Sequence, residues 1–342
     1  MRIGERIKVR RKELGLSVDQ LSKILGKNKA TLYRYENGDI ENLPLDILEP
    51  IAVALETTPS SLMGWESEYK AKEEKAMKVF ISSDIEGTCS INNWDETRHN
   101  HADYTYFTKQ MTREVSAACE GAFAAGAEDV LVKDAHGTAR NILPEELCNK
   151  ARLHRGWTGH IFQMMSGLEM EHFDAVMYTG YHSAAGSGDN NMSHTKNTRN
   201  EFIYLNGKPL SEFRLNSYIA GMLGIPVCFI SGDEGICKEA KELIPGIHTV
   251  EALKGVGGAT IASHPDTVVK AIREEVEKAL RGDWKACKVP MPEDFEVIVH
   301  YREQSMAYNK SFYPGAELLD AKRVRFYHKD FMEALRFLTF AF

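Results

Sequence analysis

MKVFISSDIEG (77–87) is the stretch that decides how most of this chain folds. Its apolar, β-rich run stops at Asp84 and Glu86, and a glycine follows at once. Three later stretches repeat that shape: EDVLVKDAHG (128–137), DAVMYTGYHS (174–183) and IPVCFISGDEG (225–235). Helical patterns lie between them, as in residues 104–125 and 210–223. This alternation predicts an α/β domain with a mostly parallel sheet and covering helices. In open sheets of that kind the ligand site lies outside the C-terminal strand ends. Those ends carry Asp84 and Glu86, then Asp134 and His136, then His182, then Asp233 and Glu234.

Asp84 and Glu86 are two positions apart, so in extended chain they project to the same side. Two carboxylates held that close repel unless one is protonated or a cation bridges them. His136 and His182 add imidazoles suited to Zn²⁺, or to Mn²⁺ or Co²⁺ in a mixed nitrogen and oxygen site. Any one of these residues is ordinary at a strand end; the convergence of all of them points to a metal. His160 and Asp233 are further candidates, as supporting or substrate contacts. GVGG (255–258) lacks the Lys-Ser/Thr of a phosphate loop, and the absence of G-x-S-x-G disfavours a serine hydrolase of that class.

The whole chain has 342 residues, 43% hydrophobic and 27% charged, which suits about two globular domains and excludes disorder as the main state. No apolar run approaches the roughly 18–20 residues a membrane span needs. The basic start MRIGERIKVRRKELG has no apolar run behind it, so a cytoplasmic location is expected. Six scattered cysteines without a CxxC pair read as reduced thiols.

Charge divides the chain more sharply than composition does. The total is −7, but residues 1–34 hold ten Lys/Arg against Glu5, Glu13 and Asp19. Residues 35–65 hold six acidic side chains and no Lys or Arg. That pattern suits one small polarised domain with a positive face. WESEYKAKEEKA (65–76) is charge-rich without an apolar face, and reads as a linker between a domain at 1–64 and one at 77–342.

Within residues 1–64, short helices are separated by turn signals. Ser17 with Gln20 has capping-box spacing, Gly26 closes the helix that follows, and Asn28 caps the next. Two short helices joined at Gly26 predict a small all-α helix-turn-helix domain. LGLSVDQLSKILGKNKATLYRYENG (14–38) resembles the Cro/CI repressor-like family, and the resemblance covers residues 3–63. The resemblance implies double-stranded DNA as partner, with Lys27, Asn28, Lys29, Thr31, Leu32 and Arg34 near it and Gln20 at the start of the preceding helix. Lys and Arg would chiefly meet phosphate, and Asn28 and Lys29 could reach base edges. A helical bundle used for protein contacts is the alternative.

Residues 77–342 resemble the zinc-dependent D-aminopeptidase DppA family. The shared motifs are S-x-D-x-E-G at 82–87, DAHG (134–137), GYH (180–182), MSH (192–194), Glu212 with LNSY (215–218), GD (232–233), KEAKELIP (238–245) and Pro314-Gly315. The resemblance implies two Zn²⁺ per subunit, bridged by Asp84. Glu86 and His136 would then hold one ion, and His182 and Glu212 the other. Glu212 stands in SEF where related sequences often read GEL, but its carboxylate is kept. His194 falls on the position with a direct catalytic role, as proton shuttle or as nucleophile. The resemblance also implies short peptides with an N-terminal D-residue, such as D-Ala dipeptides, and ring-shaped homo-oligomers. The expected protein is thus a metallo-aminopeptidase with a DNA-binding domain. Two alternatives are a transcriptional regulator whose peptidase-like domain only senses peptides, and a hydrolase of some other amide.

Overall fold

The computed structural model describes residues 2–38, 40, 43, 45–64 and 77–342. The stretch read as a linker, 65–76, lies outside the described residues. The chain divides into two compact units, Met1–Ala76 and Met77–Phe342.

Among the described residues the first unit holds five helices: α1 (Ile3–Glu13), α2 (Val18–Ile24), α3 (Lys29–Asn37), α4 (Leu45–Ala54) and α5 (Pro59–Met63). The capping signals act as their chemistry requires. Ser17 Oγ accepts the Gln20 amide while Gln20 Oε1 accepts the Ser17 amide, so two orphan donors at the start of α2 are satisfied reciprocally. Asn28 Oδ1 accepts from the Ala30 amide, and α3 ends at Gly38 in the left-handed region. Ile7, Leu21, Leu32, Ile51 and Leu55 form the core. Inside it Arg11 and Glu36 make a buried two-pronged ion pair, with Nη2 2.9 Å from Oε2.

The second unit is built on a seven-stranded sheet of order β3-β2-β1-β4-β7-β8-β9. Its strands are β1 (Met77–Ser83), β2 (Ala127–Asp134), β3 (Arg152–His154), β4 (Ala175–Tyr181), β7 (Val227–Asp233), β8 (His248–Val256) and β9 (Ala259–Ala262). All neighbours are parallel except β8 with β9. The four apolar runs of the sequence are β1, β2, β4 and β7; β4 and β7 are buried at every position, as strands covered on both faces must be. Phe80, fully buried on β1, meets Phe173 edge to face at 5.4 Å.

Five of the unit's helices follow: α6 (Tyr104–Ala124), α7 (Glu212–Met222), α8 (Glu234–Leu243), α9 (Pro265–Arg281) and α10 (Gln304–Lys310), with α11 (Phe331–Ala341) closing the unit. The apolar stripe of α9, Val268, Ile272, Val276 and Leu280, is buried. It crosses α6 at Gly121, where a Cβ would press on the Arg273 carbonyl.

A second, antiparallel sheet was not foreseen from the sequence. Its order is β11-β12-β10-β5-β6, from β5 (Asn200–Leu205), β6 (Lys208–Pro209), β10 (Phe295–Tyr301), β11 (Ala316–Leu318) and β12 (Arg323–His328). FEVIVHY (295–301) alternates buried and half-buried positions, the pattern of a strand with one face on a core.

What positions the site is the order of the first sheet. From β1 the chain runs outward through β2 to β3, and from β4 it runs the other way through β7 to β8. The reversal between β1 and β4 opens a crevice at their C-terminal ends. Ser83 pairs with Asp134 on one side and with Thr179 on the other, so the three strands end level.

Candidate metal centre

Asp84 and Glu86 leave the end of β1, His136 follows β2, His182 follows β4, and Glu212 is the first residue of α7. The strand ends can approach because glycines stand where they meet. A Cβ on Gly87 would collide with the Tyr181 carbonyl, and one on Gly180, at φ +67°, with that of Asp84. The Asp84 and Gly87 amides instead donate to Thr179 and Gly180 oxygens, each at 2.8 Å.

The side chains fall into two groups, Asp84 with Glu86 and His136, and His182 with His194 and Glu212. Asp84 faces both. Its Oδ1 lies 3.3 Å from His136 Nδ1 and its Oδ2 3.6 Å from His182 Nε2. His136 Nδ1 is 3.1 Å from Glu86 Oε2, and His182 Nε2 is 3.9 Å from Glu212 Oε2. Two donors bound to one tetrahedral zinc ion at about 2.0–2.1 Å stand roughly 3.3 Å apart. The spacing suits ions between these atoms.

Each histidine is turned by its other nitrogen. His136 Nε2–H donates to the Thr97 carbonyl, His182 Nδ1–H to Ser183 and His194 Nδ1–H to Met192, all at 3.0 Å. A carbonyl can only accept, so the proton is on those nitrogens, and the ring atom facing the carboxylates is the one with a lone pair to give when neutral. Glu86 Oε2 and His182 Nε2 are buried without a hydrogen-bond partner, an expensive condition unless something else binds them. The residues present therefore fit two metal ions.

Electrostatics agree. Burial alone would raise the Asp84 carboxyl, but the close approach of the His136 ring and the positive charge that His182 and His136 can carry hold it well below the usual range. Burial would lower His182, yet Glu212, Glu86 and Asp84 push it up to about 9, and the same kind of surroundings raise His136. The pocket is built to attract positive charge.

Supporting contacts account for several residues that sequence reading left out or placed loosely. Asp233 is not among the metal-facing atoms. It caps α8 through the Ile236 amide, accepts from Ser183 N and Oγ, and accepts from Asn190, whose amide also reaches the Glu86 carbonyl. Lys196 N donates to Glu212 Oε1 at 2.6 Å. Stacking at 4.3 Å joins His194 to His182, and Trp94 meets His194 edge-on.

The group opens into a cavity of about 680 Å³ whose walls include Trp94, His160, Trp157 and His194. Trp157 is held from below by buried Lys133, whose Nζ lies 4.4 Å from the ring centre and donates to Gly156 O. Its indole N–H donates to the Gly137 carbonyl, next to His136. His160 lines this cavity but joins neither group. Trp94, Thr97 and Trp157 left no pattern in the sequence, since tertiary closure alone brings them here.

In the helical unit, Gln20, Lys27, Asn28, Lys29 and Arg34 are exposed and Thr31 is half-buried. Leu32 corrects the expectation that it lies near DNA. It is fully buried in the core, because it shares a helix face with Tyr35 three residues on. Lys29 pairs with Asp19 at 2.9 Å. Arg6, Arg10 and Arg11 spend donors on the Met63, Leu55 and Leu16 carbonyls, so part of the basic excess closes the bundle.

A family model for helix-turn-helix domains matches residues 7–62, and a D-aminopeptidase family model matches residues 77–340. The chain is 28% identical over 260 residues to the D-aminopeptidase of Bacillus subtilis (strain 168), covering 75% of this chain and 94% of that protein. Among solved structures it is similar to the Zn-dependent D-aminopeptidase DppA from Bacillus subtilis, described as a self-compartmentalizing protease. That likeness has a TM-score of 0.71 and 27% identity over 78% of this chain and 96% of the other. A match that runs from the first strand of the α/β unit into its last helix decides the matter: the chain belongs to the D-aminopeptidase family, with a helix-turn-helix domain ahead of that part.

Proposed function

We propose that the α/β unit is a zinc-dependent aminopeptidase that hydrolyses short peptides with an N-terminal D-residue, D-Ala dipeptides among them. The observation that carries this reading is the complete donor set, buried but for a half-buried His136, with Asp84 turned to both groups. Asp84 would bridge two ions, Glu86 and His136 holding one and His182 and Glu212 the other. When bound, such a pair brings the pKa of a shared water down to about 7 and polarises the scissile carbonyl. The chain's own side chains supply orientation and proton traffic. His194 keeps its Nε2 free, 3.8 Å from Glu212 Oε1, while its other nitrogen is tied to Met192. Held this way, the ring can take up a proton and return it to the departing amine. The names of the related proteins support the D-residue preference. Because no donor is missing, turnover is favoured over peptide sensing.

The same proposal places double-stranded DNA on the helix-turn-helix domain, against the exposed Lys27, Asn28, Lys29 and Arg34, with Thr31 and Gln20 beside them. It divides the chain into domains at 1–64 and 77–342 and a linker at 65–76. It also takes the chain to be cytoplasmic and a homo-oligomer, the second supported by the description of its relative as self-compartmentalizing. Among the described residues no helix is long and apolar enough to cross a membrane.

The test is hydrolysis of D-Ala-D-Ala beside L-Ala-L-Ala by the purified, zinc-loaded chain, with zinc counted per subunit. Cleavage of the D-dipeptide alone with two zinc ions bound is the expected result. No turnover of either peptide would overturn the peptidase reading.

A further inference from the structure

The charges on the cavity wall are sorted. Its acidic side chains are Asp84, Glu86 and Glu212, and all three belong to the donor set. Its Lys and Arg residues are Arg98, Lys196 and Arg199. Two ions bound by the donor set would more than neutralise its carboxylates, leaving a cavity with net positive walls. A substrate with only an amino group to offer would gain nothing from such walls.

The three cations sit on segments that also shape the site. Arg98 lies over the Trp94 ring, 5.6 Å from its centre, and Trp94 in turn meets His194. It directly follows Thr97, whose carbonyl holds His136. Lys196 is anchored by its own amide to Glu212 and has φ +66°, a left-handed backbone that a lysine adopts only at a cost. Arg199 follows on the same segment, with its amide tied to Asn197 Oδ1. In a dipeptide the terminal carboxylate is one residue, about 3.8 Å, from the carbon under attack. A group meant to meet it has to stand beside the metal ligands, which is where Lys196 is.

We propose that Lys196, with Arg98 and Arg199 further out, recognises the free C-terminal carboxylate of the substrate. This restricts the enzyme to very short peptides with an unblocked C-terminus. The inference builds on the aminopeptidase reading and adds the feature at the substrate's other end. A charge-assisted contact of this kind changes binding about 10- to 100-fold.

The experiment compares D-Ala-D-Ala with D-Ala-D-Ala amide on the zinc-loaded chain and on K196M and K196R. Hydrolysis is followed in the wild type and Lys196 variants, and binding is measured by calorimetry in H194A and in H194A combined with K196M. The acid should exceed the amide about 10-fold or more in kcat/KM, chiefly through KM. K196M should bring the acid-to-amide ratio towards one, in hydrolysis and in binding alike, and K196R should restore most of it. Added salt should narrow the ratio in the wild type. Equal handling of acid and amide by the wild type would overturn carboxylate recognition and leave the peptidase intact. If neither peptide is hydrolysed, the peptidase reading fails. Calorimetry would still decide this inference, since a preference for the acid that K196M abolishes supports it and its absence sinks it.

Discussion

Glu36 in the helical unit and Glu86 in the α/β unit are both buried carboxylates, 3% and 1% exposed, each with a cationic group nearby. Glu36 is finished: both its oxygens accept from Arg11. Glu86 is not, since its Oε2 faces His136 Nδ1 across 3.1 Å without a hydrogen bond. The difference lies in what supplies the positive charge. In one place a side chain always carries it; in the other the protein presents several carboxylates, and rings that exchange a proton for a bond, to something from outside. A buried ion pair that closes on itself serves architecture, whereas one left open, with its rings turned by backbone carbonyls, is a receptor.

The sharpest way to break this contrast is D84N. It should remove one shared donor from both groups, lower bound zinc and cut kcat/KM by on the order of 10³-fold or more. Full zinc content with near-normal rates would mean the open acceptors are not a metal receptor. E36Q should instead leave zinc content alone and destabilise the helical unit by roughly 3–5 kcal/mol, read from denaturant unfolding of the full chain. Replacing both Arg11 and Glu36 with apolar residues should recover much of that loss, a rescue unavailable to the metal group.

Glu114 on α6 sharpens the comparison as a third case, a buried carboxyl with no cation bonded to it. Burial pushes it up to about 7, against weaker lowering by its hydrogen bonds from Gln110 and the Cys89 amide. Since its folded value exceeds the unfolded one of about 4.5, its protonated form favours folding below pH 4.5. That contribution is lost as pH rises to about 7, by something of order 3 kcal/mol. E114Q should flatten stability between pH 4.5 and 7; an unchanged profile would remove Glu114 as the cause. The smallest effect is expected of N190A, which cuts the link from the Glu86 carbonyl to Asp233. Zinc affinity should fall about 10-fold with the fold retained, as titration with a competing chelator would show.

Much of this was legible in sequence because parallel sheets leave a plain mark. Buried runs such as VFISS and VCFIS end in polar residues at the C-terminal edge, where sites form. That rule alone points to Asp84, Glu86, His136 and His182, and equally to Asp134, Asp233 and Glu234, which neither group includes. Glu212 was not, since a carboxylate opening an amphipathic helix looks like any helix start, and only family resemblance pointed to it. The antiparallel sheet was missed because its strands come from distant segments, β5 and β6 before α7 and the others after α9, and neither segment marks the other as its partner. Leu32 was misplaced because adjacency to exposed recognition residues says nothing about which helix face a side chain takes.

The donors come from the ends of β1, β2 and β4 and from the start of α7. Only Asp84 and Glu86 are neighbours in the chain. During synthesis, nothing can grip an ion well until β1 has found both β2 and β4 and residue 212 has emerged. Under the proposed zinc reading, the metal would therefore not nucleate this fold as it does small zinc modules. Loading would then be a late event in the life of the molecule, and the supply of metal would govern how much active enzyme exists after translation has ended.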